Sequence, residues 1–518
     1  MKYAVSSREM RNYDKNTSEY FGIPSLVLME RASLQVVSRI MSWVAERITN
    51  RRYKAVVFCG VGNNGGDGAC IARLLKQRGI VVTVCVIGDY TKCTGQLLTQ
   101  LKILEKYGVN TDTFSHIRDN KSSAEWDIIV DALFGIGLSR NLSGDYAGAV
   151  DYINTCKRER GRDLLVTSVD IASGINADNG KVCGCAVKAD MTVTFNQTKL
   201  GQILYPGCEY TGKLFVEDAG ITEESFLGKE PQFFYYDESV EKLLPPRKRD
   251  SNKGTNGKIL IIAGSKSVSG ACILASTACL RSGAGMVKVF TAVENAEVVK
   301  NHLPEAMLDT YSENEPFEDR LRNAFKWSTA AVIGPGLGTT AISKKILKLT
   351  LEEYDKDIVV DADAINLIAE NEGLKKLCEN YSTNGKNMVM TPHIAEFARL
   401  SGYSISEVKE HFLEYPKEVA KKMHCTIVCK DARTIVTDSN EKKIYINMSG
   451  NDGMATAGSG DVLSGIMGAM TAVSMSMFEK ACVSVYLHGL CGAAASRELS
   501  KHSLLASDII GYLTEYLE

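Results

Sequence analysis

"FCGVGNNGGDGACIARLL", residues Phe58 to Leu75, runs from an apolar β-rich segment through a glycine cluster into a stretch with helical periodicity. That order reads as strand, tight turn and helix, the unit from which parallel α/β sheets are built. Gly60, Gly62 and Gly65 match the dinucleotide-binding spacing GxGxxG, and Asp89 follows the next strand, where a ribose-binding acid would sit. Two features argue against an ordinary pyrophosphate turn. Asn63 and Asn64 supply side-chain carbonyls, and Asp67 places negative charge near the helix N-terminus, where it would repel a phosphate unless a cation or a different pose intervened. The plainer alternative is a tight turn followed by an N-terminal helix carboxylate.

The same pattern continues outward. "KAVVFCG", "VVTVCVIG", "DIIVDALFG", "LLVTSVD" and "MTVTFN" read as strands, each followed by glycine, serine or asparagine at its carboxyl end, where open α/β sheets place ligands. Ahead of them, Leu26, Met29, Ser33, Val37 and Ile40 fall at helical spacing and predict one or two packing helices. Around "LGKEPQFFYYDESVEKLLPPRKRDSNKGTNGK" the composition shifts to prolines and charge, as at the approach to a new domain. A second α/β series follows: "KILIIAGS", "GMVKVFT", "AAVIGPGLG", "DIVVDADAIN", "NMVMTPH" and "TIVCKDARTIVTD". The halves are not repeats of one another, so two different domains are expected.

Composition narrows the classes. The 518 residues exceed what a single core usually supports. With 60 basic and 62 acidic residues and no basic block, nucleic acid is not a favoured partner. The 15 cysteines are odd in number and scattered without CxxC pairs, and "MKYAVSSREM" lacks an apolar signal stretch, so a cytoplasmic location is expected. "VLSGIMGAMTAVSM" is too short to span a bilayer and reads as a core helix, so no membrane association is expected. Seven histidines without close spacing give little support for zinc.

"DALFGIGLSRNLSGDY" and "VDIASGIN" add Asp131, Gly135, Gly137, Asp170 and Ser173 to the sheet edge that already carries Asp67. Asp170, at the end of an apolar strand, is expected to be partly desolvated and suited to proton transfer, with a helix cap or turn acid as the alternative. Asn64, Asp131 and Ser173 are hard oxygen donors suited to an alkali or alkaline-earth cation.

"GVGNNGGDG", "DALFGIGL" and "VDIASGIN" together resemble the N-terminal domain of the NAD(P)H-hydrate repair proteins, an epimerase of the R and S hydrated nicotinamide cofactors. The resemblance implies Asp170 as the catalytic carboxylate. It implies substrate loops at Asn63, Asn64, Gly65, Gly66 and Asp67 and at Gly135, Ile136, Gly137, Leu138, Ser139, Arg140 and Asn141, with Tyr146 beside them. It also implies Asn64, Asp131 and Ser173 as ligands of a potassium ion. Ala172 stands where proline is common, a mild departure.

In "NDGMATAGSGDVLSGIMGAM", Asn451 to Met470, a glycine loop precedes a helix whose free N–H groups can hold developing negative charge. Asp461 at that helix start falls within reach of a substrate proton; the alternative is a simple helix cap. "VIGPGLG" adds Gly334, Gly336 and Gly338, and "TPHIAEF" adds Pro392, His393 and Glu396. Lys430 and Thr434 offer a charge and a hydroxyl to nucleotide phosphates. Taken alone, His393 reads as a structural histidine and Lys430 as an exposed strand-end charge.

"IIAGSKSVSGA", "SGAGMVKV", "GPGLG", "DADAIN", "TPHIAEF", "KDARTIV" and "AGSGDVLSG" resemble the nucleotide-dependent NAD(P)H-hydrate dehydratases, which are ribokinase-like. This implies that the S hydrate sits among Ala284, Gly338, His393 and Asp461, with Asp461 as acid/base. ADP or ATP, with Mg2+, would meet Lys430, Asp431, Ala432, Arg433 and Thr434. It would also meet Asn451, Asp452, Gly453, Met454, Ala455, Thr456, Ala457, Gly458, Ser459 and Gly460. Ala395 and Ser459 replace the usual glycine and threonine. The two resemblances imply a Rossmann-like three-layer α/β/α domain over 1–226 and a ribokinase-like α/β domain over 227–518, with ADP favoured over ATP and a homo-oligomer favoured. The alternative enzyme is a ribokinase-like small-metabolite kinase fused to a Rossmann-type ligand-binding domain; a front half that only senses ligand is a third reading.

Overall fold

Seven strands of the first unit, Lys2–Gln232, pair into one sheet in the computed structural model: β1 (Lys54–Cys59), β2 (Val81–Val86), β3 (Asn110–Thr111), β4 (Ile128–Ala132), β5 (Leu165–Val169), β6 (Met191–Phe195) and β7 (Lys213–Glu217). The order is β3-β2-β1-β4-β5-β6-β7, all pairings parallel. Chain order reverses between β1 and β4, so a crevice opens at their carboxyl ends. The structure describes residues 1–47, 52–120, 123–247, 249–383 and 386–517, and residue 248 of the proline- and charge-rich junction lies outside them.

Helices cover both faces of this sheet. Helix α1 (Ser7–Lys15) starts from a capping box between Ser6 and Glu9, a π-helical turn spans Asn16–Tyr20, and α2 (Ser25–Ala45) follows. On one face of β1, Ala55, Val57 and Cys59 pack with Val36 and Ile40 of α2 and with Ile71 and Leu75 of α3 (Asn63–Gln77). On the other, Val56 and Phe58 pack with Val150 and Ile153 of α4 (Gly144–Arg160). Each such buried large side chain contributes roughly 1.5–3 kcal/mol. Met29, Ser33, Val37 and Ile40 point inward at the expected helical spacing, but Leu26 is 39% exposed, because the inward row of α2 begins at Leu28.

The second unit, from Phe233 to Glu518, contains β8 (Phe233–Tyr235), β9 (Lys258–Ile262), β10 (Met286–Ala292), β11 (Met307–Tyr311), β12 (Ala330–Ile333), β13 (Asp357–Val360), β14 (Met388–Met390), β15 (Thr426–Cys429), β16 (Ile435–Asp438) and β17 (Ile444–Ile446). They run β11-β10-β9-β12-β13-β14-β15-β16-β17-β8. From β11 to β15 the pairing is parallel, and β15-β16-β17 is antiparallel. "TIVCKDARTIVTD" is therefore a hairpin rather than a parallel unit. The Lys430–Thr434 connection is far shorter than the dozen or so residues that a parallel crossover takes.

Helices α5 (Gly270–Arg281), α6 (Ile394–Ser401), α7 (Ser459–Met470) and α8 (Met477–Leu499) pack in this unit. Helix α7 is buried, as its apolar sequence predicts, but ends at Met470 rather than running on to Met475. Gly465 lets α7 lie directly on the Ala275 carbonyl of α5, where any Cβ would clash. Among the described residues no helix is long and apolar enough to cross a membrane.

Candidate active sites

The loops after β1 and β4 meet because two glycines permit it: a Cβ on Gly60 would strike the Leu133 carbonyl, and one on Gly65 the Gly60 carbonyl. Beside them lies a cavity of about 580 Å³, large enough for a nicotinamide nucleoside. Asn63, Asn64, Asp67, Gly135, Ile136, Gly137, Leu138 and Asp170 line it, as the motifs predict. Gly65 and Gly66 are buried behind that wall, Gly66 packing on Met29. Ser139, Arg140 and Asn141 run on into solvent. Tyr146 packs tilted against Phe134 at 4.7 Å, beyond the residues that line the cavity. Asp89 does not join the site: its exposed carboxylate caps a turn, accepting from the Thr91 amide and hydroxyl at 3.0 and 2.7 Å.

Asp170 ends β5 in the left-handed region, φ +64, a strained setting for an aspartate that is typical of functional positions. Lys199 Nζ, 1% exposed, lies 2.6 Å from Asp170 Oδ1 and also donates to Thr194 Oγ1 at 2.8 Å and the Phe195 carbonyl at 3.2 Å. An ammonium this close fixes the position of the Asp170 carboxylate at the edge of the cavity. Nothing in the sequence marked Lys199, whose signal is a lone lysine in the apolar run "TFNQTKLGQI". Asp67 carries less negative charge than the motif suggests, because burial and the neighbouring Asp170 and Asp14 push its pKa well up.

Asp131 is fully buried and accepts from Ser173 Oγ at 2.6 Å, Ser168 Oγ at 2.8 Å, the Ser173 amide at 2.9 Å and the Leu133 amide at 3.3 Å. Burial raises its pKa, and these donors partly offset that. Asn64 is buried, and its Nδ2 has no hydrogen-bond partner among the described residues. The Asn64 side-chain carbonyl, the Asp131 carboxylate and the Ser173 hydroxyl are the oxygen ligands that a hard monovalent cation takes; the orphan Nδ2 is a hydrogen-bond donor and is no ligand.

In the second unit the loops after β9, β12, β13, β14 and β15 share the carboxyl edge of the parallel strands. Gly338 donates its amide to Asp363 Oδ2 at 2.8 Å. Asp361, 1% exposed, accepts from Lys430 Nζ at 2.9 Å, Thr391 Oγ1 at 2.6 Å and Ser464 Oγ at 2.7 Å. Lys430 is thus a paired cation close under Gly460 at the start of α7, not an exposed strand-end charge. Asp461, in the first turn of α7, has its pKa pushed up to about 7 by burial and by Asp361, partly opposed by Lys430. A carboxyl that titrates near neutrality is suited to proton transfer.

Several nucleotide-loop residues also hold the loop itself. Asn451 caps the Asp452–Met454 turn and donates to Ser496 Oγ at 2.6 Å, Asp452 pairs with Lys501, and Gly458 takes φ +90 before the helix. Asp431 and Ala432 are exposed at the β15–β16 turn. Ser459 Oγ lies 3.3 Å from Nε2 of His488, a buried histidine whose pKa is lowered to about 4 and which the sequence did not mark. His393 caps α6: its Nδ1 accepts from the Ala395 and Glu396 amides.

Ala284 does not join this edge. It is buried in the turn between α5 and β10, at the amino ends of the strands, where Gly285 donates its amide to the Asn256 carbonyl. In a parallel sheet the two ends are separated by the strand length, so "SGAGMVKV" lies away from Asp461. Ala271, at the start of α5, is at the correct end, packed against Gly336.

Both halves of the chain are similar to known proteins. Residues 25–201 match the family model of the YjeF-related protein N-terminus, and residues 259–515 match that of NAD(P)H-hydrate dehydratase. The bifunctional NAD(P)H-hydrate repair enzyme of Thermofilum pendens is 34% identical over 533 aligned positions, covering 100% of this chain and 96% of its own. That of Moorella thermoacetica is 34% identical, covering 99% and 96%. A solved ADP/ATP-dependent NAD(P)H-hydrate dehydratase from Bacillus subtilis, co-crystallised with ATP and Mg2+, is 29% identical, with a TM-score of 0.47, and covers 54% of this chain and 94% of its own. Matched in both halves and along its whole length, the chain belongs to the bifunctional NAD(P)H-hydrate repair enzymes.

Proposed function

We propose that the two sites divide the repair of hydrated NADH and NADPH, with Asp170 serving epimerisation and Asp461 serving dehydration. The observation that carries this reading is that each unit sets, among the carboxyls at the carboxyl edge of its parallel sheet, one that both borders the site and lies in the field of a buried lysine: Asp170 with Lys199 and Asp461 with Lys430. Repair then acts as a sequence. The front site interconverts the R and S hydrates, and the rear site consumes the S form with a nucleotide co-substrate.

At the rear site, Asp461 in its ionised form takes the proton from the substrate hydroxyl as that oxygen attacks the terminal phosphoryl group of the nucleotide. The N–H groups of Gly458 and Gly460 would face the charge that develops there, while that of Ser459 donates to the Thr456 carbonyl at 3.3 Å. Loss of the resulting phosphate, with a proton from the neighbouring ring carbon, restores the double bond. ADP is the favoured nucleotide, with contacts from the β15–β16 turn and the Asn451–Gly460 loop. Mg2+ enters on the nucleotide's phosphates. At the front site Asn64, Asp131 and Ser173 would hold K+, whose charge would offset the anionic substrate beside Asp67.

Recovery of absorbance at the reduced-nicotinamide band tests the whole reading, starting from mixed R and S NADH hydrate with ADP and ATP supplied separately. Complete recovery is expected with ADP. A plateau at the S fraction would refute the front-site assignment, and no recovery with either nucleotide would refute both.

A further inference from the structure

One wall of the front cavity comes from α1, a helix that none of the glycine motifs includes. Met10, Arg11 and Asp14 line the cavity from this helix. Its start is tied to the loop beyond Asp170: the Ser7 amide and hydroxyl donate to the two carboxylate oxygens of Asp178 at 2.5 and 2.9 Å. Arg11, one turn before Asp14, is committed to the Ser7 carbonyl at 3.2 Å and hydroxyl at 3.0 Å. Among the described residues the Asp14 carboxyl makes no hydrogen bond or ion pair, so neither capping nor a salt bridge accounts for an acid at this place.

We propose that Asp14 is a second catalytic carboxyl of the epimerase, acting on the substrate from the α1 side of the cavity while Asp170 acts from the end of β5. The inference rests on the reading of Asp170 as a proton-transfer group. Water adds to a protonated enamine at the carbon beside nitrogen, so the hydrated ring carries its hydroxyl there. Asp14 gives its proton to that hydroxyl, the C–O bond breaks, water departs, and the nitrogen lone pair forms the N=C bond of an iminium. Water then adds to the other face, its oxygen pair forming the new C–O bond while the nitrogen recovers its lone pair, and Asp170 accepts the released proton. The net transfer of one proton from Asp14 to Asp170 is reset through solvent, and the reverse direction exchanges the two roles.

The charges around the site suit this division. Partial desolvation at the cavity rim and the Asp170 charge raise the Asp14 pKa, which helps it keep a proton to give, while Lys199 Nζ holds Asp170 Oδ1 at 2.6 Å. Asp67 on α3 faces the same space with its own pKa raised.

The test is the pH dependence of kcat/KM for conversion of the R to the S hydrate in the full-length enzyme and in D14N, D14A, D14E and D170N. D14N and D14A are expected to lose about 10²-fold and to lose the alkaline limb of the profile, which reports loss of the acid's proton, while D14E recovers part of the rate and restores the limb. Asp14 is solvent-accessible at the cavity rim, so its substitution should leave the fold intact. Activity in either D14N or D14A within about threefold of the parent, with the alkaline limb retained, would overturn the proposal. An active D170N would overturn the scheme through the Asp170 reading instead, which separates the two failures.

Discussion

Lys199 Nζ and Asp170 Oδ1 meet at 2.6 Å at the floor of the front cavity, with the lysine almost wholly out of water. Such a pair is costly to assemble and more costly to break, since removing one partner strands the other charge at about 3–5 kcal/mol. Its position beside a strained aspartate gives that cost a purpose: the lysine holds the carboxylate aimed into the cavity.

Lys199→Met is therefore expected to lower epimerase kcat by about 10²-fold or more while KM changes little, because what is lost is the aim of Asp170 and the positive charge beside it. Steady-state rates with the R hydrate decide it; a variant whose only change is a raised KM would contradict this role.

Asp170→Asn and Asp461→Asn should fail in opposite reactions. The first should stop epimerisation and leave dehydration of pure S hydrate running, and the second should do the reverse, each loss about 10²- to 10⁴-fold. Rates measured separately on R and S hydrate check this. A folded single variant that loses both activities would refute two independent sites.

Because Asp461 titrates near 7 and acts as a base when ionised, dehydration should fall about tenfold per pH unit below about pH 7 and level off above it. Lys430 lowers that pKa, so Lys430→Gln should move the acid limb to higher pH. A profile that falls above pH 7 instead would assign Asp461 as an acid.

Replacing K+ by tetramethylammonium should slow epimerisation, and adding K+ back should restore it with saturation. Ser173→Ala should weaken that saturation, because it removes a donor oxygen and the 2.6 Å bond to Asp131. Epimerase rates unchanged without K+ would exclude the cation site.

Phe58→Ala should cost roughly 3–5 kcal/mol of stability, since Phe58 is fully buried against α4 and Tyr152 at 6.0 Å. Denaturant melts of the full-length chain would read this as a shift of the midpoint of the first unit's transition.

Much of this molecule was legible in its residues. Strand, glycine turn and helix follow from local periodicity and from glycines whose Cβ would strike a neighbouring carbonyl, so the α/β class, the two series and the strand ends and helix starts bearing Asp67, Asp131, Asp170 and Asp461 could all be read from order along the chain. Pairing across the chain could not be read that way. Lys199 becomes the partner of Asp170 only when β5 and β6 lie side by side, Lys430 reaches Asp361 across 69 residues, and Asp14 reaches the cavity through the docking of α1, which is tethered to Asp178 and packed through Met10 and Tyr13. Ala284 shows the converse: an adjacent motif was credited with a place at the site, but the direction of a parallel strand put it at the opposite end of the sheet. Sequence determined which segments become strands and helices, because those preferences are local. Which side chains share a charge, and which of them lose contact with water together, was decided only by the tertiary structure, because desolvation and Coulomb energy depend on distance in space.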